Sequence, residues 1–214
     1  MDSPKAIVRT GYDRIAERYE TWGGDSGTRQ KYLQAIASEV TGGERVLDLG
    51  CGTGHHATRF LAERYEVVAV DLSPVSASLA RAAVPGASVV IADMASVAFP
   101  PGTFAAVTAF FSLIHVPRDE HERVLRSIRS WLEPGGILAV TMGAGEAGDE
   151  IDDFLGVSMY WSGWSREENL RLIRAAGFRI RSAIDETEDE DGTPVTHLWI
   201  LPEATSGYQR RRSG

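Results

Sequence analysis

Cysteine is almost missing from this 214-residue chain: Cys51 stands alone, which excludes an intrachain disulfide and agrees with a reducing, cytoplasmic setting. Long hydrophobic runs are also lacking. The longest, AAVTAFFSLIHV, falls short of the roughly 20 residues that a membrane-spanning helix needs, and the N-terminal MDSPKAIVRTG has no cationic start joined to an apolar core. Neither a membrane partner nor a secretory leader is expected. Positive charge is in deficit too, since 22 Lys and Arg face 30 Asp and Glu for a net charge of -8. With no basic footprint to neutralise phosphates, nucleic acid is a disfavoured partner and a small-molecule one fits better. No residue pattern specifies a partner subunit.

The chain does have apolar material in quantity, 43% of its residues, enough for one well-buried domain over 1–204 with a disordered tail over 205–214. Tyr12, Ile15, Ala16 and Tyr19, then Leu33, Ile36, Ala37 and Val40, recur at helical spacing and predict two amphipathic helices within 1–42. The glycine-containing ETWGGDSGT between them reads as a mobile connection. RVLDLG, EVVAVDL, SVVIADM, AVTAFFS and GILAVTMG then alternate with helical stretches and are apolar on both faces, as strands of a parallel sheet covered on both sides must be. The expected fold is α/β: one doubly wound, mostly parallel, Rossmann-like sheet of seven strands. SREENLRLIRAAGF opens on a capping box, Ser165 with Glu168, and stops at Gly177. FRIRSAID and THLWIL should form an antiparallel hairpin at the sheet edge, with Asp191-Gly192 at its turn. The acidic ETEDEDG between them lacks calcium-ligand spacing and reads as a solvated hairpin tip.

VLDLGCGTG, residues 46–54, raises the chemical question. Glycines that close together let a ligand approach the backbone. A dinucleotide turn spaces them G-x-G-x-x-G, whereas here Gly50, Gly52 and Gly54 read G-x-G-x-G and Asp48 precedes them. A carboxylate against a pyrophosphate is repelled by about 4 kcal/mol per close pair at an effective dielectric of 20. The turn suits a ligand that brings an ammonium and a sulfonium to the loop and gives its own carboxylate to backbone N–H groups. S-adenosylmethionine is such a ligand. Asp71 closes the second strand, where it can accept both ribose hydroxyls. Asp93 ends the third, within reach of the adenine amine, with Met94 along the ring.

On these motifs the sequence resembles the class I S-adenosylmethionine-dependent methyltransferases of small-molecule type. VVAVDLS resembles the ribose-binding strand, IADM the adenine-binding one and LEPGGILAVTMG the fifth strand with its loop. YDRIAERYE resembles a cofactor-covering helix. Ala105 departs from the family, which often has Asp after the Phe opening the fourth strand. The resemblance implies a cofactor set of Tyr19, Asp48, Gly50, Cys51, Gly52, Gly54, Asp71, Leu72, Asp93, Met94 and Phe111, with S-adenosylhomocysteine as the product. Cys51 itself reads as a small loop residue and not as a nucleophile. His55 and His56 are adjacent and diverge by about 100° on a helix, so no metal site is expected.

After the fourth strand, FFSLIHVP brings Phe110, Phe111, Ser112 and His115 towards the carboxyl ends of the strands. His115 is the candidate general base; its alternative role is to hold the loop ahead of the next helix. The Asn/Asp-Pro-Pro-aromatic signature of base and amide methylation is absent, and FPPGTF precedes the fourth strand and reads as a turn. The long segment after the fifth strand, 144–164, is the expected substrate lid. Its Met159, Tyr160, Trp161 and Trp164, with Tyr12 and His115, are the candidate acceptor contacts. Packing onto the core would give the lid residues, Tyr12 and Tyr19 the same composition. The expected reaction is methylation of a small organic acceptor at oxygen. Methylation at sulfur or nitrogen, a protein that binds the cofactor without methylating, and a nicotinamide oxidoreductase are the alternatives.

Overall fold

The computed structural model describes residues 2–22, 27–145, 148–190 and 192–205. Several sequence expectations lie outside the described residues: the linker centre at 23–26, part of the lid segment at 146–147, Asp191, and the tail from 206 onward. Among the described residues the strands are β1 (Arg45–Leu49), β2 (Glu66–Asp71), β3 (Ser88–Ile91), β4 (Phe104–Ala109), β5 (Leu132–Gly143), β6 (Glu150–Phe154), β7 (Val157–Trp161), β8 (Phe178–Glu190) and β9 (Thr193–Ala204). The helices are α1 (Pro4–Trp22), α2 (Gly27–Glu39), α3 (Ala57–Ala62), α4 (Pro74–Ala83), α5 (His121–Trp131) and α6 (Arg166–Ala175).

Seven strands form one sheet in the order β3-β2-β1-β4-β5-β9-β8. The first five run parallel, β9 is antiparallel to β5, and β8 closes the edge antiparallel to β9. Successive residues of a strand point to opposite faces. Leu47, Leu49, Val107 and Leu138 therefore pack with Leu125 and Ile128 of α5 and Ile173 of α6. Val46, Ala106 and Ala139 pack with Leu33 and Ile36 of α2 and Leu61 of α3 on the other face. Each fully buried Leu or Ile contributes about 1.5–3 kcal/mol. The winding reverses between β1 and β4, and in an open α/β sheet such a reversal leaves a crevice beyond the carboxyl ends of the two strands.

Several boundaries differ from expectation: β3 ends at Ile91 and not at Met94, and β5 begins at Leu132, ahead of GILAVTMG. β4 stops at Ala109 instead of running to Ser112, because Phe111 takes φ 51, a left-handed value that turns the chain away from the sheet. The acidic stretch after Ile184 is not a loose tip but continues β8 to residue 190, paired with β9 through register partners such as Glu186 with His197 and Thr187 with Thr196. A solvated edge tolerates this charge, and the Thr187 and Thr196 hydroxyls bond across it at 2.8 Å. The lid segment, finally, holds the hairpin of β6 and β7, whose two-residue turn uses positive φ at Leu155 and Gly156, the geometry of a type I′ turn. The capping of α6 is half of what the sequence suggested: Ser165 Oγ accepts the Glu168 N–H at 3.3 Å, but the Glu168 carboxylate turns to Arg171.

Candidate active site

At the reversal point lies a cavity of about 130 Å³, or about 1140 Å³ when the open solvent at its mouth is included. The turn after β1 forms its floor, and each glycine there has its own cause. Gly50 has φ 74, and a Cβ on it would stand 2.3 Å from Ser112 Cβ, so the chain leaving β4 can cross only over a bare backbone. Gly52 has φ 55 and a Cβ there would enter open space on the cavity side. Gly54 does not line the cavity. A Cβ at Gly54 would meet Ala80 of α4 at 3.1 Å, so its smallness serves helix packing.

Asp48 pairs in register with Thr108 on the α2 and α3 face of the sheet. Its oxygens accept the Thr58 hydroxyl at 2.6 Å and the Thr108 hydroxyl at 2.7 Å. It borders the cavity but is 2% exposed, and burial holds its acidity below the carboxylate norm by raising its pKa. Asp48 is thus a hydrogen-bonded post under the turn and not an open carboxylate at its mouth. Asp71, at the end of β2, accepts the Gly52 N–H and the Ser73 N–H, both at 2.8 Å, one on each oxygen. Burial lifts its pKa to about 6 despite these two donors. Each oxygen keeps a second acceptor site, which fits a pair of ribose hydroxyls. Asp93, beyond β3, accepts the Ala95 N–H at 2.9 Å and Lys5 Nζ at 2.6 Å. Burial pushes its pKa up, but Lys5 and the Ala95 N–H outweigh this and leave it below the usual range. Leu72, Met94, Cys51, Phe111 and Tyr19 also line the cavity, and burial raises the Cys51 thiol pKa, which agrees with an inert thiol.

One inner face of α1 roofs the cavity with Val8, Tyr12, Ala16 and Tyr19. Polar contacts hold it there: Lys5 also reaches Glu120 at 2.6 Å, Asp13 accepts the Ser73 hydroxyl at 2.6 Å at the start of α4, and Glu20 meets His55 at 2.9 Å. Sequence reading missed Lys5 and Asp13. It also missed Arg29, 7% exposed, whose guanidinium lies 5.1 Å above the Phe111 ring at the cavity wall. The signal was available, since Arg29 falls four residues before Leu33 on the apolar stripe of α2, where a solvated arginine does not belong.

His115 ends a short 3₁₀ turn after β4 and lines the cavity. Its Nδ1 stands 2.9 Å from the Tyr160 carbonyl and its Nε2 2.8 Å from the Tyr12 hydroxyl. Burial lowers its pKa to about 4, with His197 adding to the effect, so the ring is neutral at physiological pH. The lid residues lie elsewhere. Met159 and Tyr160 are buried against Val8 and Ile15 of α1, the Trp161 ring lies tilted against His115 with centroids 4.6 Å apart, and Trp164 donates to the Arg118 carbonyl at 3.1 Å. None of the four borders the cavity; Met159, Tyr160 and Trp161 belong to the cluster that seats the hairpin on α1, and Trp164 packs against the core on the α5 and α6 face. No group of metal-ligating side chains occurs among the described residues, and no described helix is long and apolar enough to cross a membrane.

Residues 46–136 match the family of the methyltransferase domain. Over 100 residues the chain is 35% identical to trans-aconitate 2-methyltransferase of Delftia acidovorans, which covers 45% of this chain and 37% of that protein. It is 33% identical over 146 residues to the ubiquinone biosynthesis O-methyltransferase of Xanthomonas campestris, 61% of this chain and 59% of the relative. The chain therefore spans between about a third and three fifths of the length of these two relatives. The fold is like that of the 1,6-didemethyltoxoflavin-N1-methyltransferase of Burkholderia thailandensis, crystallised with 1,6-didemethyltoxoflavin and S-adenosylhomocysteine. The TM-score is 0.73 at 18% identity, over 96% of this chain and 92% of that one. The motifs, the strand order and the cradle beside Gly52 agree with these likenesses, and residues 46–136 carry the match to the methyltransferase domain.

Proposed function

We propose that this chain transfers a methyl group from S-adenosylmethionine to a small organic acceptor at oxygen. Bound in the cavity, the cofactor would supply an electrophilic methyl on a positive sulfur. Asp71 would accept the ribose hydroxyls, Asp93 the adenine amine, and Met94 and Leu72 would flank the base. The Arg29 guanidinium, fixed over Phe111, would take the methionine carboxylate. The roof formed by α1 would exclude water, so that attack on the methyl occurs in an aligned, low-dielectric site.

The observation that carries the choice of oxygen is His115, a neutral imidazole at the cavity wall whose Nε2 is an acceptor. Such a group takes a proton from a hydroxyl as its oxygen attacks the methyl carbon. The names of the two curated relatives, one an O-methyltransferase and one acting on trans-aconitate, are compatible with oxygen acceptors. The test is S-adenosylhomocysteine formation with a panel of phenols, carboxylic acids, thiols and amines. Turnover confined to amines removes the oxygen assignment, and cofactor binding without turnover on any acceptor removes methyl transfer.

A further inference from the structure

His197, on β9, is a buried histidine with an unused nitrogen. Its side chain belongs to a residue that is 6% exposed, and its Nδ1 has no hydrogen-bond partner among the described residues. A buried polar atom left unpaired is costly, and folded proteins fill such a position with ordered water or with a ligand. The surroundings of His197 favour a ligand. It stands opposite Gly143 in the register of β5 with β9, so a side chain at either position points to the same face of the sheet. A Cβ on Gly143 would meet only Gly163 Cα, at 4.0 Å, among the described residues. Two bare backbones thus leave room beside the imidazole. Gly143 also ends β5, and an open α/β sheet takes its ligands beyond the carboxyl ends of its strands. The His197 ring meets that of Phe111 at 87°, with centroids 4.9 Å apart, and Phe111 lines the cavity. His115 lines it too, and a charge on His197 disfavours one on His115. Two imidazoles that sense each other through a dry interior border one space.

We infer that His197 is a specificity-determining residue for the acceptor, and that its Nδ1 binds a second hydroxyl of a molecule whose first hydroxyl, at His115, receives the methyl group. The inference rests on the methyl transfer proposed above and names the class of acceptor. A hydroxyl donates to a bare ring nitrogen or accepts from a protonated one, so it satisfies Nδ1 in either tautomer. A carboxylate satisfies only the protonated form, and an apolar group satisfies neither. Burial lowers the His197 pKa against the opposing pull of Glu188, so the ring is neutral at pH 7 and above and offers no countercharge to an anion. The acceptor that fits is therefore a neutral compound with two separated hydroxyls, such as a dihydric phenol.

Phenol, catechol, resorcinol and hydroquinone test this, because they differ only in whether and where the second hydroxyl stands. In the complex of the protein with S-adenosylhomocysteine, the ¹⁵N resonance of His197 Nδ1 should move with at least one of the three dihydric phenols and stay in place with phenol. No movement with any of them, or equal movement with phenol, overturns the assignment without reference to turnover. In the assay, kcat/KM for the best dihydric phenol should exceed that for phenol by about tenfold. His197→Phe should lose about tenfold on that compound and about threefold or less on phenol. The amide of His197→Asn sets a polar atom near the place of Nδ1 and should recover most of the loss, whereas the longer His197→Gln reaches the place of Nε2 and should not. Should the Phe variant fail to fold, the Asn and Gln pair carries the same comparison. An equal loss on phenol and on the dihydric compound marks a packing role behind Phe111 and overturns the inference alone. Absence of turnover by the wild type on every acceptor, with the Nδ1 movement intact, instead overturns the methyl transfer and still supports the hydroxyl subsite.

Discussion

Two glycines of the same turn answer to different neighbours, and an alanine at each tells them apart. At Gly50 a methyl group would sit 2.3 Å from Ser112 Cβ with φ at 74. Left-handed backbone costs about 1–2 kcal/mol and overpacking a further 1–3. Gly50→Ala should therefore lower the urea midpoint by an amount equivalent to about 3 kcal/mol, with or without cofactor. At Gly52 the methyl enters empty space, so only the backbone cost of about 1–2 kcal/mol applies to the free protein. If the cofactor fills that space, Gly52→Ala should weaken its binding by tenfold or more in calorimetry while leaving the fold intact. Equal affinity in the two forms would place the cofactor away from the turn. Asp71 adds a pH dependence. Its folded pKa of about 6 lies above the ordinary value of 3.8, so its ionisation disfavours the free protein. Its contribution to stability is fully present below the unfolded pKa and is lost as pH rises through about 6. Cofactor binding should have the opposite dependence, because the ribose needs an acceptor. Affinity should be level above pH 7 and fall by up to about tenfold per unit below 6. Asp71→Asn should remove that slope, and because its NH2 cannot accept the second of the Gly52 and Ser73 N–H groups it should not raise the cofactor-free Tm.

As an element, α1 is held by polar contacts as well as by its apolar face. Along its roof the fixings are an ion pair at Lys5, an N-terminal contact of Asp13 with α4, and the Tyr12 bond to His115. The Lys5, Asp93 and Glu120 side chains are 21–26% exposed, so solvent screening limits each ion pair to about 1 kcal/mol. A carboxylate at a helix start is worth a similar 0.3–1 kcal/mol or so. Lys5→Met and Asp13→Asn should each speed cofactor dissociation a few-fold in stopped flow, and the Lys5 effect should be mimicked in wild type by raising the salt. Unchanged release rates would mean that α1 does not cover the bound cofactor. This docking was hidden in the sequence. The periodicity of Tyr12, Ile15 and Tyr19 announced the helix, but nothing local says that Lys5 meets a strand end 88 positions away. The five parallel strands were legible because each is a short apolar run, a signal that needs no partner. The hairpin of β6 and β7 was not, because its acidic EIDD has no alternation and its turn places a leucine where glycine or asparagine is usual.

Across the whole molecule, the covering parts form a third body of apolar packing. Val8 and Ile15 of α1 with Met159 and Tyr160 of β7 make a cluster distinct from the two that flank the sheet. That is why Tyr160 and Trp161, which the sequence suggested for a pocket wall, turn inward to this small core, while Trp164 packs on the α5 and α6 face. Met159 is fully buried, and its methyl group lies where a Cβ on Gly11 would come within 2.9 Å, so helix and hairpin meet at a bare backbone. The same two elements each hold one nitrogen of His115. The roof and the base should therefore be assembled and dismantled together. Met159→Ala removes a buried side chain, at a cost of about 2–5 kcal/mol in a closed core, and that cost falls on the roof and spares the sheet. In hydrogen exchange, amides of 4–22 and 150–161 should lose protection in step, while those of β1, β4 and β5 keep theirs. His115, released at both nitrogens, should titrate nearer its ordinary 6.5 than at about 4, rising because the burial that lowers it is relieved. Loss of protection in the hairpin alone, with α1 still protected and the His115 titration unmoved, would show that the two elements open independently and that the roof is not one body.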